Sequence, residues 1–373
     1  MGVSAPEESA QPPAGENGQG AAAPAAEETH GTPEGSAAGE PNSADAAGAS
    51  PEENSAQGTG DSGGTDGAEG GNEPQQKAEQ TPEQRKAHAA ARRRAEQQAA
   101  VDEALKKQSD KRFLWLIVDD GSTDNTKELV EEFQKEDCGF KIRYVYKENG
   151  GMHTAHNLAY RIIETELNVC VDSDDVLGEE AVKKILDFWD EHGSKEYAGL
   201  VGLDSDFDGK IIGSGFPANL KKTTLGGYYR NKGSGDKKLV LRTDVVKKYP
   251  PYPEYEGEKL VPLGSLYTLI DRDYELLVLD EVLCRVEYQT DGSGATIFKQ
   301  YRQSPRGFMY ARIIRMKYAE SSKEAFSGAI HYVSSCIFAK ERRVLQKSPK
   351  KLLTFFCLFP GLLLNLYIRL KNK

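Results

Sequence analysis

Apolar positions fall into runs whose spacing changes along the chain. Nothing before Leu105 is Leu, Ile, Phe, Tyr or Trp. The first continuous apolar run, Phe113 to Val118, suits a strand covered on both faces. It ends in Asp119-Asp120-Gly121, a turn, and Leu129, Val130 and Phe133 then predict a helix capped by Ser122 or Thr123. Lys141 to Tyr146 alternates as a strand. Asn149-Gly150-Gly151 reads as a loop, after which Ala155, Leu158, Ala159 and Ile162 share one face of a helix over 153–164. A second apolar run, Val169-Cys170-Val171, ends in Asp172-Ser173-Asp174-Asp175 and precedes a helix from about Glu179 to Trp189. Such strand–helix alternation predicts an α/β fold with parallel pairing and right-handed crossovers.

Further on, Leu200 to Ile212 reads as a β-hairpin turned at Asp208-Gly209. Its acids superficially resemble a calcium loop, but the twelfth position, where a bidentate Glu belongs, is Gly215. Residues 220–262, rich in Gly, Lys and Tyr, read as an irregular segment. Tyr274 to Tyr288 returns to a strand pattern, and Phe308 to Tyr318 to a helix. Leu352 to Leu370 is strongly apolar but interrupted by Pro360, Gly361 and Asn365 and flanked by Lys350, Lys351, Arg369 and Lys371. That pattern predicts an interfacial or re-entrant membrane segment with basic anchors, the alternative being a helix packed on the domain or on a second subunit.

Composition divides the chain unevenly. Residues 1–76 contain no Lys or Arg. Their Ala, Gly, Pro, Glu and Ser cannot bury enough apolar surface to offset the entropy of ordering, so a disordered acidic tail is expected over 1–80. The net charge of −10 largely reflects this tail and identifies no partner. Ala, Glu, Gln and Arg then predict a solvated helix over 81–108, with Pro82 at its first position. Arg92-Arg93-Arg94 has no neighbouring aromatic for base stacking, so no nucleic-acid partner is expected. A globular domain over 109–320 and C-terminal helices over 321–373 complete the expected organisation. The five cysteines form no CxxC and no disulfide framework, which suits a reducing compartment and thiols used as small core residues. The N-terminus has neither an apolar signal core nor a basic leader, so export through a signal peptide is not expected.

The chemistry concentrates where strands end in acids. Three carboxylates within Asp172–Asp175 repel one another, and a divalent cation relieves that repulsion while leaving coordination sites for phosphate oxygens. By itself the run is equally a polar turn before a helix. Its company is more specific. VDDGSTDNT (residues 118–126), NGGMHTAHNLA (149–159), VDSDD (171–175), EGEKLVP (256–262) and DRDYELLVLDEVLCRVEYQ (271–289), in this order, resemble a family 2 glycosyltransferase of the bacterial surface-polysaccharide type over about residues 112–318.

The resemblance implies a GT-A fold, a nucleotide-sugar donor (a UDP-sugar), Mn²⁺ or Mg²⁺, inversion at the anomeric carbon, and a saccharide or lipid-linked saccharide acceptor at the inner face of the cell membrane. It assigns Asp119 and Asp120 to the base and ribose of the nucleotide. Asp172 and Asp174 match its DxD, reaching ribose and metal, with Asp175 in support. Glu258 is the implied base for the acceptor hydroxyl, with Glu256 second. Asn157 and His153, with His156, are expected in the donor pocket, and Arg306, with Arg302, near the diphosphate. No QxxRW is present, so transfer of a single sugar is expected rather than polymerisation. A nucleotidyltransferase also uses paired acids and a metal, but no Gly-rich basic loop accompanies the acids here. Members of the family begin with an apolar first strand, a PTYN-like loop and a helix, none of which is legible before Phe113. Their loss would leave two unpaired inner strand edges, and it raises the alternative of a non-catalytic derivative that binds nucleotide-sugar or a partner enzyme.

Overall fold

A computed structural model describes residues 99–286 and 296–371. The expected tail over 1–80, the start of the helix expected over 81–108, Arg92–Arg94 and Tyr288 lie outside the described residues. Within them the elements in order are α1 (99–107), β1 (Leu114–Asp120), α2 (Thr126–Phe133), β2 (Lys141–Lys147), α3 (Met152–Ile162), β3 (Leu167–Val169), β4 (Val176–Leu177), α4 (Ala181–His192) and β5 (Tyr197–Ser205). They continue with β6 (Lys222–Thr223), α5 (Leu225–Arg230), β7 (Lys237–Arg242), α6 (Thr243–Val246), α7 (Gly264–Ile270) and β8 (Glu275–Arg285). Helices α8 (Ile297–Gln303), α9 (Pro305–Lys317), α10 (Ser322–Phe338), α11 (Val344–Lys347), α12 (Lys351–Phe356) and α13 (Leu358–Lys371) complete the described chain.

The expected α/β class holds, but the sheet is mixed and divided. Strands β1 and β2 pair in parallel, Leu114 opposite Lys141. The larger sheet runs β3-β7-β5-β8-β4, with β6 beside β8, and only β5 and β8 are parallel in it. Thus β1 and β3, the two acid-bearing strands, each have an edge with no strand partner among the described residues. That is the gap expected where a first strand is missing. A helix does, however, precede β1. α1 buries Val101 and Leu105 in one cluster with Val182, Trp189, Leu200, Val240 and Leu283, and Phe113, Trp115, Leu167 and Val169 pack against that cluster. Gln108 locks the helix end in place, donating to the Gly178 carbonyl at 2.9 Å and accepting from the Val182 N–H at 3.0 Å. A helix expected to be solvated is therefore part of the core at its C-terminal end.

The irregular reading of 220–262 also gives way. β7 lies there, between β3 and β5, and its Lys237 and Lys238 are both buried. A second core on the opposite face gathers Ala198, Val201, Leu241, Val245, Leu266 and Leu276. Two boundaries shift. α2 starts at Thr126, whose N–H is held by the Asp124 carboxylate at 3.1 Å, so neither Ser122 nor Thr123 caps it. β3 ends at Val169, which leaves Cys170 exposed in a loop rather than buried in a strand.

Candidate active site

Asp119 and Asp120 close β1 and both are engaged. Asp119 is buried and accepts from the Tyr144 hydroxyl and from the Ser122 N–H at 2.7 Å. Burial opposes its ionisation, but these donors outweigh burial and hold the carboxyl below its ordinary range. Asp120 pairs with Lys147 and accepts from Gly150 N–H at 2.9 Å and Gly151 N–H at 2.7 Å. It too is held low, against its own desolvation. It thereby fixes the turn that starts α3. Gly151 has φ +95°, and a Cβ there would stand 1.8 Å from the Lys259 carbonyl oxygen, so this position has neither the space nor the backbone conformation for another residue.

α3 joins the two acid-bearing ends. Its buried face carries His153, Thr154 and His156. His156 contacts the Tyr160 hydroxyl at 3.2 Å and Cys170 Sγ at 3.8 Å, and Asp172 follows two residues after that thiol. Burial lowers the pKa of both histidines, so both are neutral near pH 7. His153 is only 1% exposed and its Nδ1 has no hydrogen bond among the described residues, so it lies beneath the site rather than lining an open pocket. Asn157 likewise turns its amide onto the chain. It accepts from Tyr252 N–H at 2.8 Å and donates to the Tyr252 carbonyl at 2.9 Å. This clamp, with Lys259 Nζ on Asn149 Oδ1, lays the segment 252–259 beside the Gly150-Gly151 turn.

The run Asp172–Asp175 divides its acids. Asp172 is exposed and Asp174 half-buried. Asp174 has no hydrogen bond or ion pair among the described residues, and Asp172 receives a 4.0 Å contact from Cys170 Sγ. Asp175 faces inward, 3.6 Å from Lys238 Nζ on β7, and Asp204 on β5 lies 4.0 Å from the same nitrogen. Burial pushes the Asp175 carboxyl up to about 7 and that of Asp204 up to about 6. Burial disfavours the Lys238 charge, but the surrounding acids outweigh it and keep the ammonium protonated. Sequence reasoning missed Lys238 altogether. The only available signal was a pair of lysines opening the short apolar run Leu239-Val240-Leu241.

Among the described residues no three His, Cys, Asp or Glu side chains converge to hold a metal. The donor set that fits a hard divalent cation is the pair Asp172 and Asp174. One or two carboxylates plus substrate phosphates satisfy Mg²⁺ or Mn²⁺ without a protein cage. Asp175 is committed to Lys238 instead.

Glu258, the carboxylate expected to take the acceptor proton, is fully engaged. Its carboxylate, 7% exposed, accepts from Arg306 N–H (2.9 Å), Gly307 N–H (2.9 Å) and Arg306 Nε (2.8 Å). It thus satisfies the open N–H groups at the start of α9, the end of the helix dipole that favours an anion. Arg306, stacked 5.3 Å from the Tyr255 ring, is held in that pair rather than presented to a diphosphate. Glu256, two residues earlier, is exposed, and its carboxylate has no hydrogen bond or ion pair among the described residues.

A separate pocket of about 520 Å³ lies at the other end of β3, lined by Glu166, Trp189, Arg242 and Lys247 among others. Two of its polar groups are engaged: Glu166 accepts from Trp189 Nε1 at 2.9 Å, and Arg242 donates to the Lys195 and Tyr197 carbonyls. Asp172 and Asp174 lie beyond the opposite end of β3.

Residues 89–228, from the α1 region through most of α5, match the profile of glycosyl transferase family 2. Over that stretch the chain is similar to family 2 glycosyltransferases. The match contains the β1 and β3 acids and the α3 histidines, whereas β7, Glu256 and Glu258 lie beyond it. It also begins ahead of α1, in agreement with the burial of that helix. Poly(ribitol-phosphate) beta-N-acetylglucosaminyltransferase TarS of Staphylococcus aureus is 35% identical over 109 residues, 29% of this chain and 18% of that protein. Glycosyltransferase GlyG of Streptococcus pneumoniae is 33% identical over 84 residues, 22% of this chain and 27% of its own length. The chain thus aligns with roughly a fifth to a quarter of these relatives. The crystal structure of S. aureus TarS 1-349 in complex with UDP-GlcNAc overlaps 74% of this chain and 87% of that one, at 19% identity and a TM-score of 0.47.

Proposed function

We propose that the protein moves one sugar from a nucleoside-diphosphate sugar, a UDP-sugar, to a hydroxyl of a saccharide or lipid-linked saccharide at the inner face of the cell membrane, with inversion at the anomeric carbon. The observation that carries the reading is the open carboxylate pair Asp172 and Asp174 beyond β3, linked through α3 to the end of β1 that bears Asp119 and Asp120: Asp174 has no hydrogen bond or ion pair among the described residues, and Asp172 has only the distant Cys170 thiol. A crevice beyond the carboxyl ends of strands is where open α/β sheets bind nucleotides.

Asp172 and Asp174 would hold a divalent cation, which supplies positive charge where the departing diphosphate gathers negative charge. In the transfer, the acceptor oxygen forms a bond to the anomeric carbon as the bond to the diphosphate oxygen breaks. The hydroxyl proton passes to a carboxylate of the segment 252–259. Glu256 takes that role in preference to Glu258, because three donors already occupy the Glu258 oxygens. Neutral His156 lies behind Asp172 and adds no positive charge to compete for the carboxylates.

Calorimetric titration of UDP with Mn²⁺ tests the reading. Saturable, metal-dependent heat is expected, reduced at least about tenfold in affinity in Asp174→Asn, since one charged ligand contributes more than about 1.4 kcal/mol. Metal-independent binding, or none, rejects it. Binding with no turnover of any nucleotide-sugar would favour the non-catalytic alternative suggested by the break between β1 and β3.

A further inference from the structure

The last two helices are amphipathic in the wrong sense for water. Along α12 and α13 the buried positions are Thr354, Cys357, Gly361, Asn365 and Ile368, at spacings of three and four that trace one helical stripe. Four of the five are small or polar. Most of the large apolar side chains face outward instead, Leu353, Leu364 and Ile368 excepted: Leu352 is 73% exposed, Phe356 66%, Phe359 67%, Leu363 50% and Leu370 67%. A helix of a water-soluble domain normally does the reverse.

The buried stripe explains why α13 can lie so close to α10. A Cβ on Gly361 would stand 2.5 Å from Val333, and Asn365 Nδ2 donates to the Ser334 carbonyl at 3.2 Å. The seat is thus made by small residues and a hydrogen bond, and the apolar surface of these helices is left for another medium. No described helix is long and apolar enough to cross a membrane. The 14 residues of α13 extend only about 21 Å at 1.5 Å per residue, short of a hydrocarbon core of about 30 Å. Pro360 in its first turn and the break at Cys357 divide the segment, and the hydrogen bonds from Cys357 N–H to the Leu353 carbonyl at 3.0 Å and from Gly361 N–H to the Cys357 carbonyl at 2.9 Å span it.

Charge selects the occupant of this face. Residues 340–373 contain nine Lys or Arg against one acid, Glu341, and Lys350, Lys351, Arg369 and Lys371 stand at the ends of the two apolar helices. Glu341 is itself paired to Lys347 and Arg343. A second copy would bring an equally positive rim against this one and be repelled, whereas anionic lipid headgroups are complementary. We propose that the outer face of α12 and α13 lies in the plane of an anionic bilayer, its aromatic and leucine side chains among the upper acyl chains and its basic ends among the headgroups. This docking does not depend on the proposed transfer reaction, because it uses no residue of the acid-bearing site.

The test is flotation of the purified full chain with vesicles of phosphatidylcholine alone or mixed with phosphatidylglycerol. Binding is expected only with the anionic lipid and is expected to fall at high salt. Lys350→Gln with Lys351→Gln should weaken it roughly 30-fold, at about 1 kcal/mol per basic charge near the surface. Phe356→Ser with Phe359→Ser should abolish it at unchanged Tm, since both side chains are exposed. Failure to float with anionic vesicles overturns the proposal. So does binding that survives both double variants. A concentration-dependent dimer in sedimentation, lost in the phenylalanine variant, would assign the face to a second copy and also overturn it.

Discussion

Replacing Lys238 by Met removes the ammonium that, among the described residues, lies within 4 Å of both Asp175 and Asp204, whose side chains are 12% and 3% exposed. With the cation gone, two buried carboxylates face each other in place of a compensated group. Deleting one partner of a buried ion pair costs about 3–5 kcal/mol, because the remaining charge is stranded. For a domain of this size that corresponds to a fall in Tm of roughly 6–20 °C. The sign of the pH dependence follows from the acids. Burial raises Asp175 to about 7 and Asp204 to about 6, from ordinary values near 3.8. A raised carboxyl contributes stability that is complete below its unfolded value and is lost as pH rises through its folded value. Both acids rise further without the lysine, so Lys238→Met should be far more damaging at pH 8 than at pH 5. Thermal melts of wild type and variant at the two pH values measure this directly. Adding Asp175→Asn and Asp204→Asn should recover most of the loss, since neutral amides carry no stranded charge. A variant that loses less than about 1 kcal/mol at pH 8, or is equally destabilised at both pH values, would refute the reasoning.

Three further outcomes separate structural from chemical roles. Glu258→Gln should lower stability by about 1–2 kcal/mol through loss of the anionic partner of the α9 N-terminus, with metal-dependent UDP binding retained. Glu256→Gln should leave the Tm unchanged and reduce kcat at least about 100-fold if that carboxylate takes the acceptor proton. Equal kcat in wild type and variant would remove it from that role. Asn157→Ala frees both backbone groups of Tyr252 from the clamp and should raise KM for the acceptor more than for the donor, as read from initial rates against each substrate.

The local elements around the site could be read from the chain because each apolar run that ends in acids is a complete signal. Phe113 to Val118 has to be covered, and Asp119 and Asp120 have to leave the core, so the strand and its functional end are set together. The β3 run was a weaker signal, since the strand ends at Val169 and Cys170 to Asp175 lie beyond it. The alternation of such strands with helices was enough for the α/β class. Motif order was enough for the family, which the match over residues 89–228 supports.

Only the tertiary structure decided how these groups are used. β7 was invisible because Lys237 and Lys238 break its apolar pattern. They are tolerated there because Lys237 Nζ finds the Ile212 and Ser234 carbonyls within 3.1 Å and Lys238 finds two acids. A charge can be buried when distant parts of the chain bring its partners, and no local window contains them. For the same reason Glu258 looked free beside Glu256 until α9, nearly fifty residues later, placed its first N–H groups on it. The polar interruptions at Gly361 and Asn365 looked like flaws in an apolar helix until α10 was seen to cover that stripe and leave the apolar face outward. Sequence determines which side chains must leave water. Which partners they meet, and which polar groups are thereby used up or left free for chemistry, depends on contacts made across the whole fold.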